Sequence, residues 1–443
     1  MPIASIVGRA SSSVRTQTLL WDHVMNKISP IAGTPDDKVY ADLIGMEWSD
    51  LTQTRQKPEI DFDRLDRYRK GRIKEALKRH DCAFVMLTSP ITLRYAVEYR
   101  NYALFQSHIP TTYVFVPQEG PSVLQGAYGA DHTADALRPG RPLSYFDGGD
   151  ELSGFAEALA DDIVAYLDEL GTDNRRIALE YINPSVTLAC QRRGLEVIDG
   201  QLISEWARMI KSEDELNCMR WAVAVAEHGI RHMEQAIRPG VSELQLWALL
   251  NYCNLANDGD WHDGRMLASG DRINPWLQEA SPRRLEAGDL LGFDTDMVGP
   301  YGYFADISRT MFCGPGSPSK RQKELYRLAH AEVMHNMSIL KAGVTFEEFR
   351  SKAFVQDEKY WPQAYTCLVH AVGMCDEAPQ LKHSFRGPQP YAGTFEEGMV
   401  ICVESYVGEV GERDGVKLEQ QVLVTKEGCE PMSTYPWDAR LLD

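Results

Sequence analysis

Nine cysteines are scattered through the sequence without one Cys-x-x-Cys spacing, so neither a zinc ribbon nor a paired disulfide framework is implied, and a reducing, cytoplasmic location fits best. No stretch of about 18 consecutive apolar residues occurs, and the first residues lack the apolar run of a signal peptide. Membrane spanning and secretion therefore find no support. There is no Gly-rich phosphate loop and no Gly-x-Ser-x-Gly elbow, which removes phosphoryl transfer and serine hydrolysis. Positive charge is scarce: 46 Lys and Arg stand against 64 Asp and Glu, a net charge of −18. Such a chain repels phosphate backbones and anionic headgroups, so nucleic acid and membrane surfaces are not expected as partners.

What is present is ample core material. Hydrophobic residues make up 44% of 443 positions and charged ones 25%, the proportions of a globular chain long enough for two or three domains. Residues 1–60 carry Pro30, Pro35 and Pro58 among mixed helix and loop signals, show no sustained periodicity, and read as an extension able to cover a partner subunit. Residues 61–200 alternate helical patterns (62–80, 151–170) with short apolar runs (82–87, 111–116, 176–180), predicting a mixed α/β domain. Residues 201–443 form the third unit, opening with a helical block over 204–237 that Pro239 and Gly240 stop.

An internal repeat runs through that third unit. Gly240, Val241, Ser242 and Gln245 match Gly343, Val344, Thr345 and Glu348, each with the spacing of a capping box. Each is followed by a Glu-x-Gly landmark, at Gly288 and Gly398, with an acid six residues further on, Asp294 and Glu404. The landmarks are offset by 103 and 110 residues, which predicts a duplicated unit with a pseudo-twofold axis and a cleft between its halves. Acids recur where buried strands should have none. Asp294 and Asp296 alternate with the period of a strand, which would place both on one face about 7 Å apart; Asp306 lies on the returning strand, and Glu404 and Glu419 sit in apolar runs. Each alone is equally well read as a turn, cap or edge residue. Together they would repel strongly if buried bare, and divalent cations remove that cost. His370, in an apolar stretch between the landmarks, is the imidazole candidate. Oxygen-rich ligation of this kind suits manganese, iron, cobalt or zinc, and two ions are the simplest count.

At these residues the chain resembles the pita-bread metallopeptidase superfamily of methionyl aminopeptidase, proline dipeptidase and creatinase. The resemblance implies an α/β (α+β) fold, with a creatinase/prolidase-like first domain before a pita-bread domain, and usually a homodimer. It also implies two metals held by Asp294 or Asp296, Asp306, His370, Glu404 and Glu419. The peptidases carry a further His before the first metal Asp and another about seven residues after the His ligand; this chain has Ser269 to Trp276 and Met374 to Glu377 there. Within the superfamily, the strings around Arg265, Asn274, Asp294-Thr-Asp296, His370 to Glu377 and Lys417 to Glu419 are similar to those of the dimethylsulfoniopropionate lyases. That similarity implies all six of Asp294, Asp296, Asp306, His370, Glu404 and Glu419 as ligands and iron as the metal. It makes Asp376 the base that removes the proton α to the substrate carboxylate and Tyr365 a substrate contact.

A sulfonium substrate calls for aromatic faces, and Tyr95, Tyr99, Tyr102 and Phe105 are the candidates in the first domain. His228 and His232 have helical i, i+4 spacing, but Gly229 stands where the metalloprotease motif needs Glu. The competing readings are a hydrolase of the same fold, dipeptidase- or creatinase-like, and a non-enzymatic binding module.

Overall fold

The computed structural model describes residues 53–127 and 133–443, so most of the expected 1–60 extension lies outside the described residues. Its last residues lie against the third unit: the Gln53 N–H donates to Asn257 Oδ1 at 2.7 Å and Arg55 pairs with Glu227 at 2.5 Å.

The first domain begins with the helix Phe62–Arg79, started by Asp61, whose side chain accepts from the Arg64 N–H. Its buried residues, Leu65, Arg69, Ile73, Ala76 and Leu77, form one stripe at helical spacing. Six strands follow: β1 (Phe84–Leu87), β2 (Tyr113–Pro117), β3 (Val123–Gln125), β4 (Ala136–Arg138), β5 (Arg176–Leu179) and β6 (Glu196–Asp199), in the order β4-β3-β2-β1-β5-β6. β1 pairs antiparallel with β2 and parallel with β5. The strand period of two divides β1 between two cores. Phe84 and Met86 meet the helices Leu152–Glu169 and Pro184–Arg192, while Val85 and Leu87 meet the helices Phe62–Arg79 and Gln201–Arg208.

The helical block expected over 204–237 is two helices, Gln201–Arg208 and Glu213–Ala236. Ser212 explains the break: it caps the second helix through a capping box with Glu215, and an extended cap residue cannot continue a helix. Glu215 is buried and also joins the domains. Its Oε1 accepts from the Tyr303 hydroxyl at 3.0 Å, and that hydroxyl accepts from the buried Arg69 guanidinium at 2.9 Å.

The third unit contains β7 (Trp261–His262), β8 (Leu267–Ser269), β9 (Leu290–Asp294), β10 (Met297–Val298), β11 (Phe304–Ala305) and β12 (Ser308–Phe312), arranged as β11-β10-β7 and β12-β9-β8. Its second half contributes β13 (Val369–Val372), β14 (Asp376–Leu381), β15 (Val400–Gly408), β16 (Gly415–Val424) and β17 (Cys429–Pro431), ordered β14-β13-β15-β16-β17.

The repeat is reproduced bond by bond. Gly240 N–H donates to Leu285 O and Leu285 N–H to Val241 O; Gly343 N–H donates to Phe395 O and Phe395 N–H to Val344 O. Gly288 and Gly398 both take the left-handed backbone, at φ +92° and +89°, that turns the chain into β9 and β15. β8-β9-β12 thus corresponds to β13-β15-β16. Asp294 opposite Ser308 matches Glu404 opposite Glu419, and Leu267 opposite Phe293 matches Val369 opposite Val403. The two three-strand units meet through side chains. Thr310 Oγ1 accepts from the Lys417 N–H at 3.0 Å, and at the equivalent place Gln421 Oε1 accepts from the Asp306 N–H at 2.9 Å.

Candidate metal centre

The structure brings all six expected ligands together where β9, β12, β13, β15 and β16 converge. Three overlapping groups, Asp294 with Asp296 and Asp306, Asp294 with Glu404 and Glu419, and Asp306 with His370 and Glu419, each have ligand atoms within 4.8 Å of one another. One detail differs from expectation. β9 ends at Asp294, and Asp296 lies beyond it at φ +36°, so a left-handed kink rather than strand alternation presents its carboxylate to the same group.

Each half loads the site differently. His370 on β13 has Nε2 3.2 Å from Glu404 Oε1, 3.7 Å from Asp306 Oδ2 and 3.8 Å from Glu419 Oε1. At the centre stands Lys417, fully buried, a residue to which the sequence pattern assigned no role. Its Nζ lies 2.6 Å from Glu404 Oε2, 2.9 Å from Asp294 Oδ2 and 3.3 Å from Glu419 Oε2. The signal was available: Lys417 is two residues before Glu419 on one strand, hence on the same face. Cys402 precedes Glu404 by the same interval, and its Sγ is 3.7 Å from Asp306 Oδ2.

The donor set fits a pair of divalent cations. Asp294 Oδ1, Asp306 Oδ1 and Glu419 Oε1 are buried without a hydrogen-bond partner, although the other oxygens of Asp294 and Glu419 are held by Lys417. Leaving buried acceptors bare is costly unless something else meets them. Five carboxylates and one ammonium leave four negative charges when His370 is neutral, which two divalent ions would cancel. Without them the cluster must hold protons. Burial and mutual repulsion push Asp296, Asp306 and Glu419 well above the usual carboxylate range, whereas Asp294, opposed by burial, is held low by the Lys417 ammonium.

Asp376 and Tyr365 line a cleft of about 930 Å³ beside His370. Asp376 Oδ1 is 3.4 Å from His370 Nδ1, and the Asp376 side chain is 68% exposed to the cleft. Enclosure by the cleft walls lifts its carboxyl above the usual range; His370 opposes this, and Asp294 and Glu404 add to it. The Lys417 ammonium sits 4.5 Å from the centroid of the Tyr365 ring.

The first-domain aromatics are a correction. Tyr95 is buried with its hydroxyl donating to Ala207 O at 3.1 Å, because the helix Pro90–Val97 turns that face to the core; Tyr99 is buried as well. Tyr102 and Phe105 pack edge-on, with Phe105 against Phe146, and neither lines the cleft. His228 and His232 face each other with Cys253 nearby, away from the six-residue group. Closer to it are Trp261, His262 and Asp263, which sequence reasoning passed over: the Asp263 N–H donates to Asp296 O at 2.9 Å.

Residues 217–426 match the model of metallopeptidase family M24. The chain is 35% identical over 395 residues to dimethylsulfoniopropionate lyase DddP of Roseovarius nubinhibens, covering 86% of this chain and 88% of that one. It belongs to the DddP family of M24-fold enzymes. The DddP of Roseobacter denitrificans is 33% identical over 398 residues, with the same coverage. Solved structures share the DddP-family fold at lower identity. The Xaa-Pro dipeptidase of Bacillus anthracis aligns with a TM-score of 0.67 at 22% identity over 84% of this chain and 99% of its own. For the prolidase of Pyrococcus horikoshii OT3 the values are 0.64, 20%, 84% and 99%.

Proposed function

We propose that this chain is a metal-dependent lyase that splits dimethylsulfoniopropionate into dimethyl sulfide and acrylate. The observation that carries the reading is the pairing of a complete six-residue ligand group with Asp376, a carboxylate beside that group yet open to the cleft. A base must reach the substrate without being consumed as a ligand. Asp376 takes the proton α to the substrate carboxylate; the electrons of that C–H bond form the C=C bond, and the β-carbon–sulfur bond breaks with its pair leaving on sulfur. When bound, two divalent cations supply Lewis acidity that offsets the charge growing beside the carboxylate. Asp294, Asp296, Asp306, His370, Glu404 and Glu419 would hold them, with Lys417 fixing the second oxygens of three of these carboxylates. Tyr365 orients the substrate at the cleft wall. Iron is the proposed metal, with manganese, zinc and cobalt as alternatives that elemental analysis separates, and a homodimer is the proposed assembly.

A hydrolase of the same fold, acting on Xaa-Pro dipeptides, is favoured by the match to metallopeptidase family M24 and by the prolidase-like architecture. Metal-reconstituted protein incubated in parallel with dimethylsulfoniopropionate and with Xaa-Pro dipeptides decides between them. Headspace dimethyl sulfide with stoichiometric acrylate is the expected result; dipeptide cleavage without volatile sulfide would overturn it.

A further inference from the structure

A second cavity, of about 540 Å³, lies where the first domain meets β7. It is built from fixed parts. On the first-domain side, the buried Glu180 carboxylate accepts from the Thr88 N–H at 2.9 Å, the Ser89 N–H at 3.0 Å and Thr92 Oγ1 at 2.6 Å, which holds the Thr88–Ser89 floor in place. The buried Gln106 side chain donates to the Thr88 carbonyl at 2.9 Å. Tyr181, next to Glu180, lines the cavity at φ +43°, a left-handed conformation that costs a bulky residue energy and is seen mostly where surrounding structure imposes it.

The opposite wall is Trp261, His262 and Asp263. The Trp261 indole N–H donates to Asp263 Oδ1 at 2.7 Å, joining an aromatic ring to a carboxylate. His262 Nδ1 lies 2.6 Å from the Thr295 carbonyl, which can only accept, so in the neutral ring Nε2 carries a lone pair; that atom is buried without a partner. Among the described residues, no Lys or Arg lines this cavity and Asp263 is its only acid. The 930 Å³ cleft differs in having Arg79 and Lys382 on its walls. An anion entering the smaller cavity would meet a carboxylate and a bare lone pair. A diffuse methylated cation would meet two aromatic rings, a negative charge and an acceptor for its polarised C–H groups. The wall is also next to the metal centre, through the Asp263 N–H bond to Asp296 O.

We propose that this cavity is the subsite for the positively charged onium group of the substrate, with Trp261, Tyr181 and Asp263 setting its specificity and His262 supplying an acceptor. The inference rests on the lyase reading for its substrate, but its test does not require turnover. Metal-loaded protein is titrated calorimetrically with two carboxylates of equal shape, 3-(trimethylammonio)propionate, whose head group is cationic, and its carbon isostere 4,4-dimethylpentanoate, whose head group is uncharged. Wild type is expected to bind the cation about tenfold more tightly. Asp263→Asn and Trp261→Leu, shown by elemental analysis and thermal melting to be folded and metal-loaded, should each bring the ratio to within about twofold. A wild-type protein that shows no preference, or a preference kept by both variants, overturns the subsite even if dimethyl sulfide is produced. A preference that the variants lose, in protein that releases no dimethyl sulfide, sustains the subsite and removes the lyase reading instead.

Discussion

The two halves of the third unit share a backbone and differ in what they hang on it. Equivalent hydrogen bonds tie Gly240 and Gly343 into their turns, and equivalent strand pairs set Asp294 and Glu404. By that correspondence Ala268 occupies the place of His370, Ser308 that of Glu419, and Asp306 that of Lys417. The scaffold repeats and the chemistry does not. One half puts an acid where the other puts an ammonium, so a near-symmetric frame yields a site with one imidazole, one buried cation and unequal carboxylates. Position comes from duplication, and reactivity from the substitutions that broke it.

The largest effect should come from removing a ligand from either half. Asp306→Ala and His370→Ala are each expected to lose at least one metal equivalent by elemental analysis and about 10³-fold in dimethyl sulfide release. Asp376→Asn tests the one proposed catalytic group that is not a ligand: turnover should fall by about 10²–10⁴-fold with both metals retained. Equal activity in that variant would remove Asp376 as the base. Lys417→Met breaks the acid-for-base exchange directly. It leaves three buried carboxylates without their cation, so the metal-free protein should lose roughly 3–5 kcal/mol in denaturant melts, and adding metal should recover much of this. Each half also buries one neutral imidazole, His262 and His383, and burial pulls both rings from the usual 6.5 down to about 4. Between those values the unfolded chain binds protons that the folded protein refuses. Stability should therefore fall as pH is lowered from 6.5 to 4, by roughly 3 kcal/mol per ring at the acid end, and His383→Gln should flatten that slope. The smallest effect concerns the caps. Ser242→Ala breaks a reciprocal box with Gln245, whereas Thr345→Ala breaks a single bond to the Glu348 N–H; losses of about 1 kcal/mol or less, larger at Ser242, should appear in thermal melts.

Much of this was readable in the residues because the repeat is written in local chemistry. A capping pair and a glycine that must adopt positive φ leave the same mark wherever they occur, so Ser242 with Gln245 and Gly288 with Gly398 announced both halves. Acids recurring in or beside apolar strands marked Asp294, Asp296, Asp306, Glu404 and Glu419 as candidates, and the resemblance to the lyases implied these five with His370 as the ligand set. What failed to show depended on geometry between elements. Asp296 fits strand alternation in the sequence, yet it lies past the end of β9, where the chain kinks. Tyr95 and Phe105 belong to an aromatic cluster whose orientation is decided by which helix face meets the core. Lys417 shares the face of Glu419 by its spacing, yet a lysine in a strand ordinarily reads as an edge residue; the convergence of three acids from two halves explains its burial.

The hydroxyl of Tyr303 is the hinge pin of the molecule's modular design. Reached by Arg69 from one side and bonded to Glu215 on the other, it makes the catalytic unit depend on the domain before it. A truncation beginning near residue 201 would strip Tyr303 of its cationic neighbour and open an apolar flank on the helix Glu213–Ala236. Engineering that trims or transplants this catalytic unit would have to carry Arg69 with it or redesign the seam.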